Sequence, residues 1–198
     1  IKLNPSYLAP YAFRLFAQVD PNHDWLSLVK SSYQVLENTA QLSAVKLPSD
    51  WVALDTQSGQ FQALPPSSPI KTLYGFDAYR VWWRIALDAS WFKSNEAVQF
   101  LRQHLGHLQE QWRKQQKIPA QINLQGEAIV DYEATSQYAM LYAALRQIDV
   151  PTAEQIRQTK LLPTYRNGIW DNDSAYYVQN LAWLGLLPAN AMTAELLK

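Results

Sequence analysis

One stretch constrains this chain more than any other: Tyr74 to Asp88, Tyr-Gly-Phe-Asp-Ala-Tyr-Arg-Val-Trp-Trp-Arg-Ile-Ala-Leu-Asp. At helical spacing it is apolar or aromatic around most of its circumference. Four charged residues interrupt that pattern: Asp77, Arg80, Arg84 and Asp88. Their spacings of three, four and four residues place them on one narrow stripe. A helix this apolar belongs inside a protein, where charges persist only if they pair or line a wet cavity. Two readings stay open on spacing alone. Either the stripe faces a cleft, where charges beside aromatic rings suit carbohydrate chemistry, or Asp77 pairs with Arg80 and Arg84 with Asp88. Asp77 can also be a plain helix cap.

The flanking sequence predicts more helices, arranged in pairs. Asn4-Pro5-Ser6 is a helix-start signal, followed by Tyr7, Leu8, Tyr11, Leu15 and Val19 at helical spacing. After Asp20-Pro21-Asn22, Asp24 caps a second helix to about Thr39, giving an antiparallel hairpin. Residues 45 to 72 differ. Pro48, Pro65, Pro66 and Pro69 surround two alternating runs, Trp51 to Leu54 and Gln60 to Leu64, either side of Ser58-Gly59. That pattern predicts a small β-hairpin in a long loop that has a job to do.

Helices are further expected at Asn95 to Lys117, Tyr132 to Ile148, Thr152 to Lys160 and Ala175 to Leu187, with a loop at Gly126 that has room for a short strand pair. Strand content is too low for an α/β protein. The expected class is all-α, a toroid of helical hairpins, with residues 1–198 as one domain.

Composition excludes several functions. Net charge is zero, so nothing favours nucleic acid or an anionic membrane surface. No apolar run approaches the roughly 20 residues of a membrane span. Without cysteine there is no disulfide scaffold and no thiolate nucleophile. Gly-x-Gly-x-x-Gly, Gly-Lys-Ser/Thr and Gly-x-Ser-x-Gly are all missing, so nucleotide cofactors and serine hydrolysis lack support. His104 and His107 stand three apart on a helix but suggest no third ligand; neither a metal nor a cofactor is expected. Glu127, Asp131 and Glu133 read as solvated loop carboxylates. Eight Trp and eleven Tyr, by contrast, offer ample surface for stacking on sugar rings. The chain begins at Ile1 with no basic or apolar leader pattern, so no targeting signal is expected within it.

The central stretch resembles the catalytic-base helix of glycoside hydrolase family 8, whose pattern is roughly aromatic-Asp-Ala-x-Arg-x-x-Trp-Arg. Phe76, Asp77, Ala78, Arg80, Trp83 and Arg84 carry the match. Leu3 to Leu8, Pro48-Ser49-Asp50-Trp51 and Tyr176-Tyr177 follow the family's order. The resemblance implies an (α/α)6 barrel and hydrolysis of β-1,4-linked polysaccharides or oligosaccharides. It further implies a secreted or periplasmic protein of the endoglucanase type. A complete barrel has twelve helices, so this chain is expected to be about its C-terminal half, with the N-terminal half of the same barrel as its partner.

On that resemblance Asp77 is the general base of an inverting pair, held charged and oriented by Arg80. Arg84 supports it. Phe76, Tyr7, Trp51 and Tyr176 or Tyr177 are candidates for substrate contact. Two adjacent tyrosines on a helix point about 100° apart, so only one of that pair is expected to face sugar. Phe76 departs from family members that place Tyr before the base, and Trp82 stands where many have Pro. The family's general acid, a Glu in the first part of the barrel, has no counterpart here, nor does its Ala-Ser-Asp-Gly-Asp-like segment. The alternatives are a non-catalytic glycan-binding helical domain and a helical scaffold with a structural charge stripe.

Overall fold

A computed structural model describes residues 1–171 and 174–188. Asn4 accepts a hydrogen bond from the Ser6 amide at 3.0 Å and caps a short 3-10 turn, Pro5–Tyr7. The helix expected from Tyr7 therefore starts later, with α1 at Pro10–Val19. Helix α2, Trp25–Ala40, is capped by Asp24, whose carboxylate accepts from the Ser27 amide at 3.1 Å. The remaining helices are α3 (Tyr79–Phe92), α4 (Asn95–His104), α5 (Gly106–Gln115), α6 (Thr135–Leu145), α7 (Val150–Ile156) and α8 (Tyr176–Leu186). A π-helical turn, Arg157–Leu161, prolongs α7.

Seven of these helices form two rows, and α5 continues from α4. In one, α1, α3, α6 and α8 pack in succession; in the other, α2, α4 and α7 each back the helix that precedes them. Sequence explains the division. In α6, Ser136 to Leu141, Ala144 and Leu145 are all buried, as a helix covered on nearly every side requires. Helix α4 buries only Ala97, Phe100, Leu101 and His104, one stripe of an otherwise polar helix. Where α6 and α8 meet, a Cβ on Gly185 would run into the Ala139 carbonyl, so glycine permits the close approach. Trp82, Tyr74, Tyr79, Tyr138 and Phe100 are among the largest fully buried side chains and lie around α3.

The loop of residues 45–72 carries the expected hairpin, β2 (Val52–Leu54) against β3 (Phe61–Gln62), with Gly59 at φ +72° in its turn. The chain start adds a strand that sequence reasoning missed: β1 (Lys2–Leu3) pairs with β2, giving the antiparallel order β1-β2-β3. Another hairpin was also missed, β4 (Tyr165–Arg166) with β5 (Ile169–Trp170). Its turn, Asn167-Gly168, has φ of 53° and 86°. Asn-Gly at two positive-φ positions is the strongest short-range hairpin signal, and it was there to be read.

Several helix limits need correcting. The single helix expected over Asn95 to Lys117 is broken at Leu105, immediately before Gly106. Glycine costs about 1 kcal/mol inside a helix, and the break lets buried Leu105 be followed by buried Leu108 and Trp112. The helix expected at Thr152 starts at Val150, capped by Asp149, which accepts from the Thr152 amide at 3.2 Å. At Gly126 the expected strand pair reduces to isolated bridges, Tyr74 with Ile122 and Ile122 with Ala128.

Candidate active site

The N-terminal end of α3 gathers the residues that the sequence singled out. Helix α3 begins at Tyr79, so Asp77 stands in the turn just before it. Capping there belongs to another carboxylate: Asp50, from the long loop, accepts the Ala78 amide at 2.8 Å. Asp77 is therefore not the helix cap, and its side chain is free for other contacts. Trp51 Nε1 donates to Asp77 Oδ2 at 2.9 Å, and the Arg80 guanidinium pairs with Oδ1. Arg80 also donates to Ser6 Oγ at 2.8 Å, and that hydroxyl donates to Asn4 Oδ1 at 2.6 Å.

Rings complete the setting. Tyr7 meets Trp51 edge-on at 6.2 Å between centroids, and the Arg80 guanidinium lies 5.6 Å from the Tyr7 ring centre. The Asp77 and Arg80 side chains remain 32% and 25% exposed. Tyr177 is tied in from α8: its hydroxyl donates to the Phe76 carbonyl and its ring meets Phe76 edge-on. Tyr176 points elsewhere and is 81% exposed. The two tyrosines thus divide as helix geometry demands. Asn172 and Asp173, part of the polar loop expected before them, lie outside the described residues.

Burial pushes the Asp50 carboxyl up to about 7, and the neighbouring negative charge of Asp77 adds to that. The Ala78 and Asp77 amides and the Arg80 charge act in the opposite direction without cancelling it. Sequence reasoning named Asp50 only within the Pro48-Ser49-Asp50-Trp51 segment and gave it no role. Its reach to residue 78 crosses 28 positions, and no local periodicity signals that.

The far end of the stripe behaves differently. Arg84 and Asp88 do not pair. Asp88 is fully buried and accepts from Arg14 Nε at 2.7 Å and from the Tyr33 hydroxyl at 2.7 Å. Arg84 turns towards Tyr11, burial lowers its basicity, and its Nε has no partner. Tyr11 is boxed edge-on by Trp83 and Trp91. Trp82 is buried in the core and donates to the Tyr74 hydroxyl at 3.1 Å.

His104 is buried, with Nε2 2.9 Å from Glu37 and Nδ1 2.7 Å from the Lys46 carbonyl. Among the described residues no three His, Asp or Glu side chains gather as a metal ion would need. Of the loop carboxylates read as solvated, Glu133 is engaged: it accepts from Lys160 at 2.6 Å and from the Tyr138 hydroxyl. No described helix is long and apolar enough to cross a membrane.

A loop carboxylate behind the helix start, a partly exposed Asp held by indole and guanidinium, and aromatic rings beside both thus meet at the start of α3. The family model for glycosyl hydrolases family 8 matches residues 1–190. The chain belongs to that family. Endoglucanase C of Ruminiclostridium cellulolyticum is 33% identical over 94 residues, which is 48% of this chain and 18% of that protein. The endo-1,4-D-glucanase of Vibrio fischeri ES114 superposes with a TM-score of 0.71 at 21% identity, over 94% of this chain and 50% of that one. The β-1,3-1,4-glucanase of Paenibacillus sp. X4 gives 0.73 at 14% identity, over 93% of this chain and 48% of that one. This family 8 chain has the (α/α)6 toroid type of fold, and it spans about half the length of the structures it matches.

Proposed function

We propose that this family 8 chain takes part in hydrolysing β-1,4-glycosidic bonds of a glucan, in the manner of an endoglucanase. In this reading Asp77 is the general base of an inverting mechanism. One observation carries it: a partly exposed carboxylate whose two oxygens are separately held, one by Arg80 and one by Trp51. Charge-assisted hydrogen bonds of this kind fix the acceptor's direction while each oxygen keeps a lone pair for water. Water attacks the anomeric carbon opposite the leaving oxygen, and its proton passes to Asp77 as the C–O bond breaks. A second carboxyl group, about 6.5–9.5 Å away in inverting enzymes, must protonate the leaving oxygen. We assign that acid to residues outside 1–198, in the other half of the toroid. The endoglucanase named above supports the glucan assignment, and secretion or a periplasmic location suits a polymer substrate.

Proton NMR during the first minutes of hydrolysis by the complete enzyme tests the mechanism. Carboxymethyl cellulose, mixed-linkage glucan, xylan and chitosan should be offered side by side, with the fastest turnover expected on a β-1,4-glucan. The new reducing end should appear first as the α-anomer. A β-anomer at that stage means a retaining mechanism, which leaves no place for Asp77 as a base acting through water. Residues 1–198 alone should hydrolyse little, because one carboxyl group of the pair is absent.

A further inference from the structure

We propose that Asp50 is a positioning residue for Asp77, gripping its backbone while the adjoining Trp51 grips its carboxylate. The inference rests on the reading of Asp77 as the base and adds what holds that base in place. Asp50 Oδ1 accepts the Ala78 amide at 2.8 Å, one peptide beyond Asp77. Asp50 is itself anchored, its amide donating to the Leu73 carbonyl at 2.7 Å. Its side chain lies close against residue 75, where any larger residue would have to displace it. A Cβ on Gly75 would lie 2.7 Å from Asp50 Oδ2 and 2.8 Å from Leu73 Cδ1. The next residue, Trp51, then donates its indole N–H to Asp77 Oδ2 at 2.9 Å. Two consecutive residues thus hold one residue from two sides, and both lead directly into β2, which is paired on each flank.

Such a clamp has catalytic consequences beyond stability. A base must hold its water in line with the anomeric carbon, and a misplacement of about 1 Å can cost about 100-fold. The clamp is also charged. Asp77 and Arg80 face Asp50 across the turn, and the hydroxyls of Tyr74, Tyr79 and Tyr177 belong to the same neighbourhood. With the Asp50 carboxyl pushed up to about 7, a change in its protonation places a second negative charge behind Asp77 near neutral pH. The Trp51 indole proton, bonded to Asp77, should sense that change.

The test uses the complete enzyme, with cellohexaose as substrate and the Trp51 indole resonance followed by 1H–15N NMR. Asp50→Ala removes the grip, and Gly75→Ala pushes it aside without touching its chemistry. Both should lower kcat about 10- to 100-fold with KM within about 2-fold, and both should shift the indole resonance. Asp50→Asn keeps an acceptor for Ala78 and should restore most of kcat. It should also abolish the movement of the resonance between about pH 6 and 8. Folded Asp50→Ala or Gly75→Ala enzyme with wild-type kcat overturns the proposal. Should neither fold, an Asp50→Asn resonance that still moves with pH as in the wild type overturns it equally. Asp77→Asn separates the two ideas: full turnover there removes the base reading, whereas its loss beside unaffected Asp50 variants removes only the clamp.

Discussion

The two ends of one charged stripe have opposite fates. At the start of α3, Asp77 and Arg80 stay partly open and take partners from the long loop and the chain start, Trp51 and Ser6. Three turns on, Asp88 is shut away and serves as the knot between α1, α2 and α3, through Arg14 and Tyr33. Both carboxylates have two partners of similar type. What separates them is what lies across from each: an irregular loop in one case, two packed helices in the other. The Asp beside the loop keeps access to solvent, while the Asp among helices is closed off from it.

The largest effect expected from breaking this contrast is kinetic. In the complete enzyme, Asp77→Asn should lower turnover about 10²–10⁴-fold while glucan binding and melting temperature stay near wild type. Asn still accepts from Arg80 and Trp51, but it cannot take a proton from water. Turnover within a few-fold of wild type would return Asp77 to a structural role. The counterpart, Asp88→Ala, should act on stability instead. It strands Arg14 and the Tyr33 hydroxyl, which burial, reinforced by the Asp88 charge, keeps protonated. Losing one member of a buried pair costs about 3–5 kcal/mol, and the solvent still reaching Arg14 favours the lower figure. Denaturant unfolding measures this, and an unchanged midpoint would erase the contrast.

A smaller effect concerns pH, and its sign follows from Asp50. Burial raises its carboxyl from 3.8 to about 7 in the folded protein. Between those values the folded chain keeps a proton that the unfolded chain has lost. Stability from this group is therefore fully present below about pH 4 and is lost as pH rises through about 7. Asp50→Asn does not titrate, so its melting temperature should gain on the wild type from pH 4 to 8. Parallel melting curves across that range would show that Asp50 is not withdrawn from water as its contacts imply. Asp88→Ala, by contrast, should destabilise at both ends of this range.

The legibility of this chain follows the same division. Periodicity exposed the helices, their pairing and the stripe, because those depend on neighbours three and four residues away. The loop hairpin was legible from prolines and Ser58-Gly59, and Asn167-Gly168 carried an equal signal that went unused. The partners were not legible. Asp50 to Ala78, Arg14 to Asp88 and Ser6 to Arg80 join residues 28 to 74 positions apart. Such contacts are decided by how helices and loops stack, and no window of sequence contains both members. The Arg84–Asp88 pairing illustrates this: correct spacing allowed it, but Asp88 is held by Arg14, 74 positions away.

The smallest expected effects come from the adjacent tyrosines of α8, and they probe how far the open end of the stripe extends. Tyr177 touches the turn that carries Asp77: its hydroxyl donates to the carbonyl of Phe76, the residue immediately before. Tyr177→Phe keeps the ring against Phe76 and removes only that donor, so it should cost about 1 kcal/mol of stability. Because the freed carbonyl belongs to the turn that holds Asp77, the proposed base, kcat should fall a few-fold while KM hardly moves. Tyr176 has no such tether and is 81% exposed, so Tyr176→Ala should alter stability by no more than about 0.5 kcal/mol. A tyrosine that stacks on sugar loses binding when its ring is removed, and KM should then rise with kcat unchanged. Wild-type kinetics in Tyr176→Ala would exclude Tyr176 from the proposed sugar-binding surface. A fall in kcat there would mean that the exposed ring acts on the proposed base itself, and the division between the two tyrosines would have to be redrawn.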